Sequence, residues 1–240
     1  MKLIIRDDYA DMCASVGEHI IEYVNANPDS LVELPGGDTP MGIFDYLVKA
    51  AEAGRFDVSN VSFVSLDEWE NLGYEVKGSC RQTLFDNLFK RLPIDIERQV
   101  CFFDGTADLA EECKRIDRFV FDHGGIDIAV LGIGMNGHID QYCTVVPLDE
   151  VTKTVSVKYF GGEQLNVAHG ITLGMKHFME AQEVILIADS DRKAPIVKKV
   201  VEGPMTNEVP ATLMQAAMKC LFYMDKAAAS LLSTVAERMA

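Results

Sequence analysis

Two side chains of this chain stand where proton chemistry is easiest to build. His138 follows the turn Gly132-Ile133-Gly134-Met135-Asn136-Gly137, which itself follows the apolar run 126–131. Asp67 opens Asp67-Glu68-Trp69-Glu70, three carboxylates and the only tryptophan, directly after the apolar run 61–66. An imidazole can give and take a proton near neutral pH. A carboxylate beside an apolar neighbour such as Trp69 has its pKa raised toward values useful to a base. Gly132, Gly134 and Gly137 let the backbone bend sharply or come close to a ligand, which a Cβ discourages. Against this stand blander readings: a strand-to-loop turn with an incidental histidine, and a solvated acidic loop anchored by Trp69.

A second kind of chemistry is anion binding. The short apolar run 31–34 leads into Pro35-Gly36-Gly37-Asp38-Thr39-Pro40, and a helical pattern starts at Met41. Strand, glycine turn and helix start are the geometry that offers backbone N–H groups to a phosphate. Later, Asp191-Arg192-Lys193-Ala194 opens another helical pattern. Basic side chains at a helix start oppose the helix dipole unless an anion lies between them, so Lys193 is a candidate phosphate ligand. An ordinary turn and a solvated lysine are the competing readings.

The elements that must position these groups alternate along the chain. Helical spacing over 8–25 ends at Asn27-Pro28-Asp29, and the runs 31–34 and 61–66 read as strands around a helix over 41–53. Helical patterns follow over 78–92 and 107–122, the second closed by Gly124-Gly125, with a weak strand over 99–102 between them. A strand over 153–159, a short helix led in by 168–175, a strand over 183–188, a helix from 191, a strand over 220–224 and a helix over 225–239 complete the reading. Strand and helix repeat five or six times without a linker or internal repeat. This predicts one α/β domain over 1–240, a Rossmann-like, doubly wound, mostly parallel sheet with helices on both faces. Candidate groups then gather at the carboxyl ends of strands. Gly132, Gly134 and Gly137 have dinucleotide-fingerprint spacing, but no acidic residue ends a following strand about 20 residues on, so a nucleotide cofactor is not expected.

Composition bounds the rest. The 240 residues carry 22 basic and 37 acidic side chains, a formal charge of −15, which argues against a nucleic-acid or anionic-membrane partner. The N-terminal apolar run is too short for a signal peptide, and no apolar stretch reaches the roughly 18–20 residues of a membrane span. The six cysteines have no CxxC pair, so reduced, mostly buried thiols in a cytoplasmic protein are expected, with no metal site. Cys143 is of interest because it lies just beyond the glycine turn.

Three pieces in register carry a resemblance: Leu34-Pro35-Gly36-Gly37-Asp38-Thr39-Pro40, Leu66-Asp67-Glu68-Trp69, and Leu131-Gly132-Ile133-Gly134-Met135-Asn136-Gly137-His138-Ile139. With Gly170-Ile171-Thr172-Leu173-Gly174 and Asp191-Arg192-Lys193-Ala194, they make most of the chain resemble the glucosamine-6-phosphate deaminase and galactosamine-6-phosphate isomerase family, to which 6-phosphogluconolactonases are related. Leu-Asp-Glu-Trp, and Asn136 before Gly137-His138, are nearest the galactosamine branch. The resemblance implies a hexose-phosphate substrate, no metal or organic cofactor, and room for homo-oligomers. It implies that His138 moves the ring O5 proton and that Asp67 shuttles a proton between C1 and C2 before ammonia leaves. Gly36, Gly37, Asp38, Thr39 and Lys193 would hold the phosphate, with Glu68, Gly134 and Gly137 also lining the substrate site. The family carries carboxylates two residues before and five after its histidine, where this chain has Asn136 and Cys143. Neutral groups do not support an imidazolium as carboxylates do, so Asp140 and Asp67 become the expected helpers of His138. A lactone hydrolase and a catalytically silent sugar-phosphate binding protein are the alternatives.

Overall fold

The runs 183–188 and 220–224, expected as strands, are buried along their whole length, which is why they read as nearly continuous apolar sequence. The structure, a computed structural model, describes residues 1–133, 143–147 and 167–233. Its strands are β1 (Lys2–Arg6), β2 (Leu31–Leu34), β3 (Ser62–Ser65), β4 (Asp67–Trp69), β5 (Val100–Cys101), β6 (Ile128–Gly132), β7 (Thr144–Pro147), β8 (His169–Thr172), β9 (Glu183–Ala188) and β10 (Cys220–Asp225). Seven of them form one sheet in the order β1-β10-β9-β6-β2-β3-β5, and every pairing in it is parallel. The helices are α1 (Tyr9–Ala26), α2 (Met41–Glu52), α3 (Cys80–Asn87), α4 (Ile96–Gln99), α5 (Leu109–Asp122), α6 (Met175–Glu180) and α7 (Ala194–Glu202).

Helices cover both faces of this sheet, as expected for a doubly wound fold. On one face Met12, Val16 and Ile20 of α1 and Phe44 and Leu47 of α2 pack on Val32, Leu34, Phe63 and Val130. On the other, Ile116 and Val120 of α5 and Val197 and Val200 of α7 pack on Leu31, Val64, Ala129 and Leu186. Side-chain caps set the helix starts: Asp8 accepts from Asp11 N–H at 2.9 Å, Ser79 from Gln82 N–H at 3.0 Å, and Asp108 from Ala110 and Glu111 N–H. Gly124 and Gly125 follow α5 with φ of 82° and 107°, the left-handed stop expected of glycine.

The chain leaves β2 for β3 and β5, then returns to the other side of β2 to lay down β6, β9 and β10. The winding direction therefore reverses between β2 and β6. A crevice opens at the carboxyl ends of strands at such a reversal, where ligands of these folds bind. The chain leaves this point after β2 at Pro35 and after β6 at Ile133.

Three features differ from the pattern read in the sequence. Lys2–Arg6 is an edge strand beside β10. Residues 67–69, 144–147 and 169–172 form a separate antiparallel sheet in the order β4-β8-β7, where a loop and the lead-in to a helix were expected. Strands of three and four residues are too short for periodicity to show. The first part of the expected final helix, 226–231, is formed of turns, with Asp225 Oδ1 accepting from Ala228 N–H at 2.7 Å, and its last part, 234–239, lies outside the described residues. The strand expected over 153–159 lies outside the described residues. No helix among the described residues is long and apolar enough to cross a membrane.

Candidate active site

Asp67 is placed by a change of sheet. The chain leaves β3 at Ser65, and Leu66 N–H still bonds to Leu34 O at 3.1 Å while Leu66 O accepts from Leu173 N–H at 2.9 Å. The next residue is already the first of β4, opposite Thr172 of β8. This switch holds Asp67 at the carboxyl end of the parallel sheet, one strand from the reversal. Its Oδ1 is buried and has no hydrogen-bond partner. Burial pushes the carboxyl up to about 6, against a smaller opposing pull from the Cys80 thiol. Such a group is ionised at neutral pH and more basic than an exposed carboxylate, which suits proton abstraction next to a carbonyl.

Beneath it lies a second carboxyl. Glu33, in the middle of β2, is paired with Val64 of β3 and Ala129 of β6, and is fully buried. Neither of its oxygens has a hydrogen-bond partner of good geometry. Burial first, and the charge of Asp67 second, hold its pKa well above the ordinary carboxyl range, with the Val130 backbone a minor opposing influence. Glu33 is therefore a neutral acid when Asp67 is a base.

Glu68 points to the opposite side of β4 from Asp67 and is 3 % exposed. The sequence reading grouped it with substrate ligands. Its carboxylate is engaged by backbone: Oε1 accepts from Trp69 N–H at 2.9 Å and Cys80 N–H at 3.0 Å, and Oε2 from Arg81 N–H at 2.8 Å. Burial raises it to about 7 against these three donors. It thus ties the first turn of α3 to β4, and α3 in turn packs on the glycine loop. A Cβ on Gly36 would meet Cys80 Cβ at 3.1 Å, so a larger residue there requires α3 to give by a few tenths of an ångström. Glu70 completes the frame, accepting from His169 Nδ1 at 2.9 Å and His169 N–H at 3.0 Å on β8.

The turn after β2 is held from two sides. Tyr9 of α1 donates its hydroxyl to Thr39 O at 3.0 Å and accepts from Gly42 N–H at 2.9 Å. Thr39 Oγ1 donates to Asp189 Oδ1 at 2.7 Å, just past β9. Gly37 takes φ of 120°, a backbone region closed to most side chains, and a Cβ there would face open space. Lys193 follows Asp189 by one short 3-10 turn (Asp191–Lys193) and donates Nζ to Ile133 O at the end of β6. Burial lowers its pKa, and Asp189 opposes that shift. A lysine, a strained glycine turn and the end of β6 thus meet at the winding reversal.

His138, Asn136, Asp140, Gly134 and Gly137 lie outside the described residues. Cys143 is the first described residue beyond them. Its Sγ bonds to Cys113 Sγ on α5 at 2.7 Å. Among the described residues no cluster of His, Cys, Asp and Glu has the makings of a metal site.

A family model described as glucosamine-6-phosphate isomerases/6-phosphogluconolactonase matches residues 7–222. The chain belongs to that family. It is 32 % identical over 242 residues to the glucosamine-6-phosphate deaminase of Thermoanaerobacter sp. (strain X514), covering 97 % of this chain and 95 % of that one. It is 30 % identical over 226 residues to glucosamine-6-phosphate deaminase 2 of Bacillus subtilis (strain 168), covering 90 % of this chain and 91 % of that one. Among solved structures it superposes on a monomeric glucosamine-6-phosphate deaminase with a TM-score of 0.91 at 25 % identity, over 96 % of this chain and 100 % of the other. A 6-phosphogluconolactonase from Trypanosoma cruzi shares the fold, with a TM-score of 0.76 at 17 % identity over 97 % of each chain.

Within this family fold, several residues that hold the site were not singled out in the sequence. Asp189 carries the same signal as Asp67, an acid at the tip of an apolar strand, and could have been found that way. Tyr9 and Cys80 carry no such signal, because helix residues reach the site only through tertiary packing. Glu33 was visible as a lone charge inside an apolar strand, a pattern that marks a buried carboxyl rather than a half-exposed strand.

Proposed function

We propose that this member of the family converts a 2-amino-2-deoxyhexose 6-phosphate, of the gluco or galacto series, to the ketose 6-phosphate with release of ammonia. The observation that carries the reading is Asp67: a buried, unpartnered carboxylate oxygen with a pKa near 6, held at the winding reversal of the sheet. The deaminase relatives, similar over nearly the whole chain, support the substrate class. The substrate phosphate sits in the turn 36–39, against Lys193. The amides that meet it come from the turn rather than from the first turn of α2, where Met41 N–H bonds to Asp38 O and Gly42 N–H to Tyr9. Asp38 and Thr39 act here through their backbone, since the Thr39 hydroxyl is committed to Asp189.

The steps follow from these groups. His138 carries the proton of the C1 hydroxyl to the ring oxygen, opening the sugar, and Asn136, Asp140, Gly134 and Gly137 are assigned to the same site by the family resemblance. Asp67 takes the C2 proton of the open chain and returns it to C1. The nitrogen-bearing C2 is then an imine carbon, water adds to it, and ammonia leaves. No metal or organic cofactor enters this scheme. The reaction takes place on a free sugar phosphate in the cytoplasm. The test is product analysis with glucosamine 6-phosphate and galactosamine 6-phosphate. Ammonia and ketose phosphate appear in equal amounts with at least one sugar and vanish in Asp67→Asn. Stabilisation by the sugar phosphate without any turnover would refute the reading and leave a binding protein.

A further inference from the structure

Cys113 and Cys143 come from different parts of the fold and meet without help from the proposed chemistry. Cys113 lies on α5, buried, on the face turned to the sheet. Cys143 precedes β7 and is only half-buried. Its thiol donates to Cys113 Sγ at 2.7 Å. The approach is built rather than incidental. Asp117, one turn along α5 from Cys113, accepts Cys143 N–H at 3.0 Å, and His177 of α6 holds the same Oδ1 at 2.8 Å. The backbone of Cys143 is thereby pinned to the helix that carries the other sulfur. Cys13 and Cys80 have neighbours of another kind, Tyr9 and Asp67, and Cys101 accepts from Arg115.

We infer that Cys113 and Cys143 form a dithiol modification site that a peroxide closes to an intrachain disulfide. In the first step the Cys113 thiolate attacks one oxygen of hydrogen peroxide. An S–O bond forms as the O–O bond breaks, and the departing hydroxide takes up a proton as water. In the second step Cys143 loses its proton and its sulfur attacks Cys113 sulfenic sulfur. The S–S bond forms as the S–O bond breaks, and the second hydroxide leaves as water. Two thiols and one peroxide give one disulfide and two waters, the thiols losing two electrons and the peroxide gaining them. The thiol hydrogen bond from Cys143 lowers the Cys113 pKa, although burial, Asp117 and Glu112 oppose it, and raises that of Cys143. This assigns the attacking thiolate to Cys113 and the resolving thiol to Cys143.

The bond ties α5 to the small sheet. Thr144, next to Cys143, is paired with Thr172 of β8, and Thr172 is also the partner of Asp67. The cross-link therefore sits one residue from the strand register that carries the proposed base.

The experiment treats the reduced, folded whole chain with hydrogen peroxide, measures the intact mass of the unalkylated chain, and then counts free thiols by alkylation after denaturation. The expected result is loss of two of the six thiols and a 2-dalton decrease. Dithiothreitol reverses it, and both Cys113→Ser and Cys143→Ser abolish it, whereas Cys101→Ser does not. Closing a loop of about 30 residues raises Tm on the order of 10 °C in the oxidised form. Six thiols remaining, oxygen added in place of hydrogens lost, or a disulfide that survives in Cys143→Ser would each overturn the inference. No substrate is needed, so its failure leaves the proposed reaction standing, and the reverse holds too.

Discussion

Glu33 gives the sharpest test of how the site is charged. It is fully buried between β3 and β6 with no hydrogen-bond partner of good geometry, and its pKa is raised well above the ordinary value. In the unfolded chain the same carboxyl ionises near 4.3–4.5. Above that pH the unfolded state releases a proton that the native state keeps. Because the native state then binds more protons, stability falls as pH rises, by about 1.4 kcal/mol per pH unit, for as long as folded Glu33 stays protonated. Glu33→Gln keeps the shape and removes the titration, so every other group cancels in the difference between the two proteins. The variant therefore gains on the parent by about 1.4 kcal/mol for each unit of pH above roughly 4.5. For a chain of this size that is a Tm gap widening by about 3 °C per unit. Thermal or urea unfolding at pH 5, 6 and 7 reads it directly. The absolute offset at any one pH depends on how the buried amide is accommodated, so the slope is the test. A gap that does not change between pH 5 and 7 would mean that native Glu33 is ionised, and the reasoning fails.

Other outcomes follow from the same geometry. With Asp67 as base, the acid limb of kcat/KM falls near pH 6 rather than near 4, since the carboxyl is raised to about 6 and must be ionised to act; a flat profile from pH 5 to 7 would exclude it. Glu33→Gln leaves that limb in place, because a neutral neighbour exerts no charge on Asp67. With Lys193 as the proposed phosphate ligand, Lys193→Met raises KM for the sugar phosphate about 10- to 100-fold, and loss of its bond to Ile133 O costs about 1–3 kcal/mol by urea unfolding; steady-state kinetics that move kcat alone would argue against a phosphate role. Glu68→Ala strips three backbone N–H groups of their acceptor. It costs about 1–3 kcal/mol by urea unfolding.

Much of the parallel sheet was legible because its strands are buried on both faces and bounded by turn residues. The strand Glu183–Ala188 and the helix start at Met41 fall where the pattern puts them. The β4-β8-β7 sheet was not legible, and it is the element that sets Asp67. Its β4–β8 pairings, such as Asp67 with Thr172, join residues more than a hundred positions apart, and all its segments are too short for a period of two to register. The turn after β2 could be read from glycine and proline chemistry, but its fastening by Tyr9 and Asp189 depends on the packing of α1 and β9 against it. Glu68 shows the opposite failure. A carboxylate at a strand tip looks available in sequence, yet side chains alternate along β4, and the alternation sends Glu68 to the backbone of α3 and Asp67 to the other side.

That alternation bears on how a base arises here at all. Two carboxyls near one another cannot both ionise at low cost, and the protein separates them by depth. Glu33 sits in the middle of the parallel sheet and stays neutral, whereas Asp67 sits where the chain steps out of that sheet, its carboxyl raised by burial only to about 6, and ionises first. The family resemblance implies a carboxylate at the place of Cys143 to support the histidine. In this chain that side chain faces α5 and bonds to Cys113. The basicity of the site therefore rests on the burial of Asp67 rather than on a chain of carboxylates. It follows that replacing Cys143 by Ser, which keeps a small polar group against α5, leaves the acid limb near pH 6. Replacing Cys80, whose thiol is the group drawing the Asp67 pKa down, moves it. Cys80→Ala shifts the limb upward, and a limb that stays put would show that burial alone sets the base.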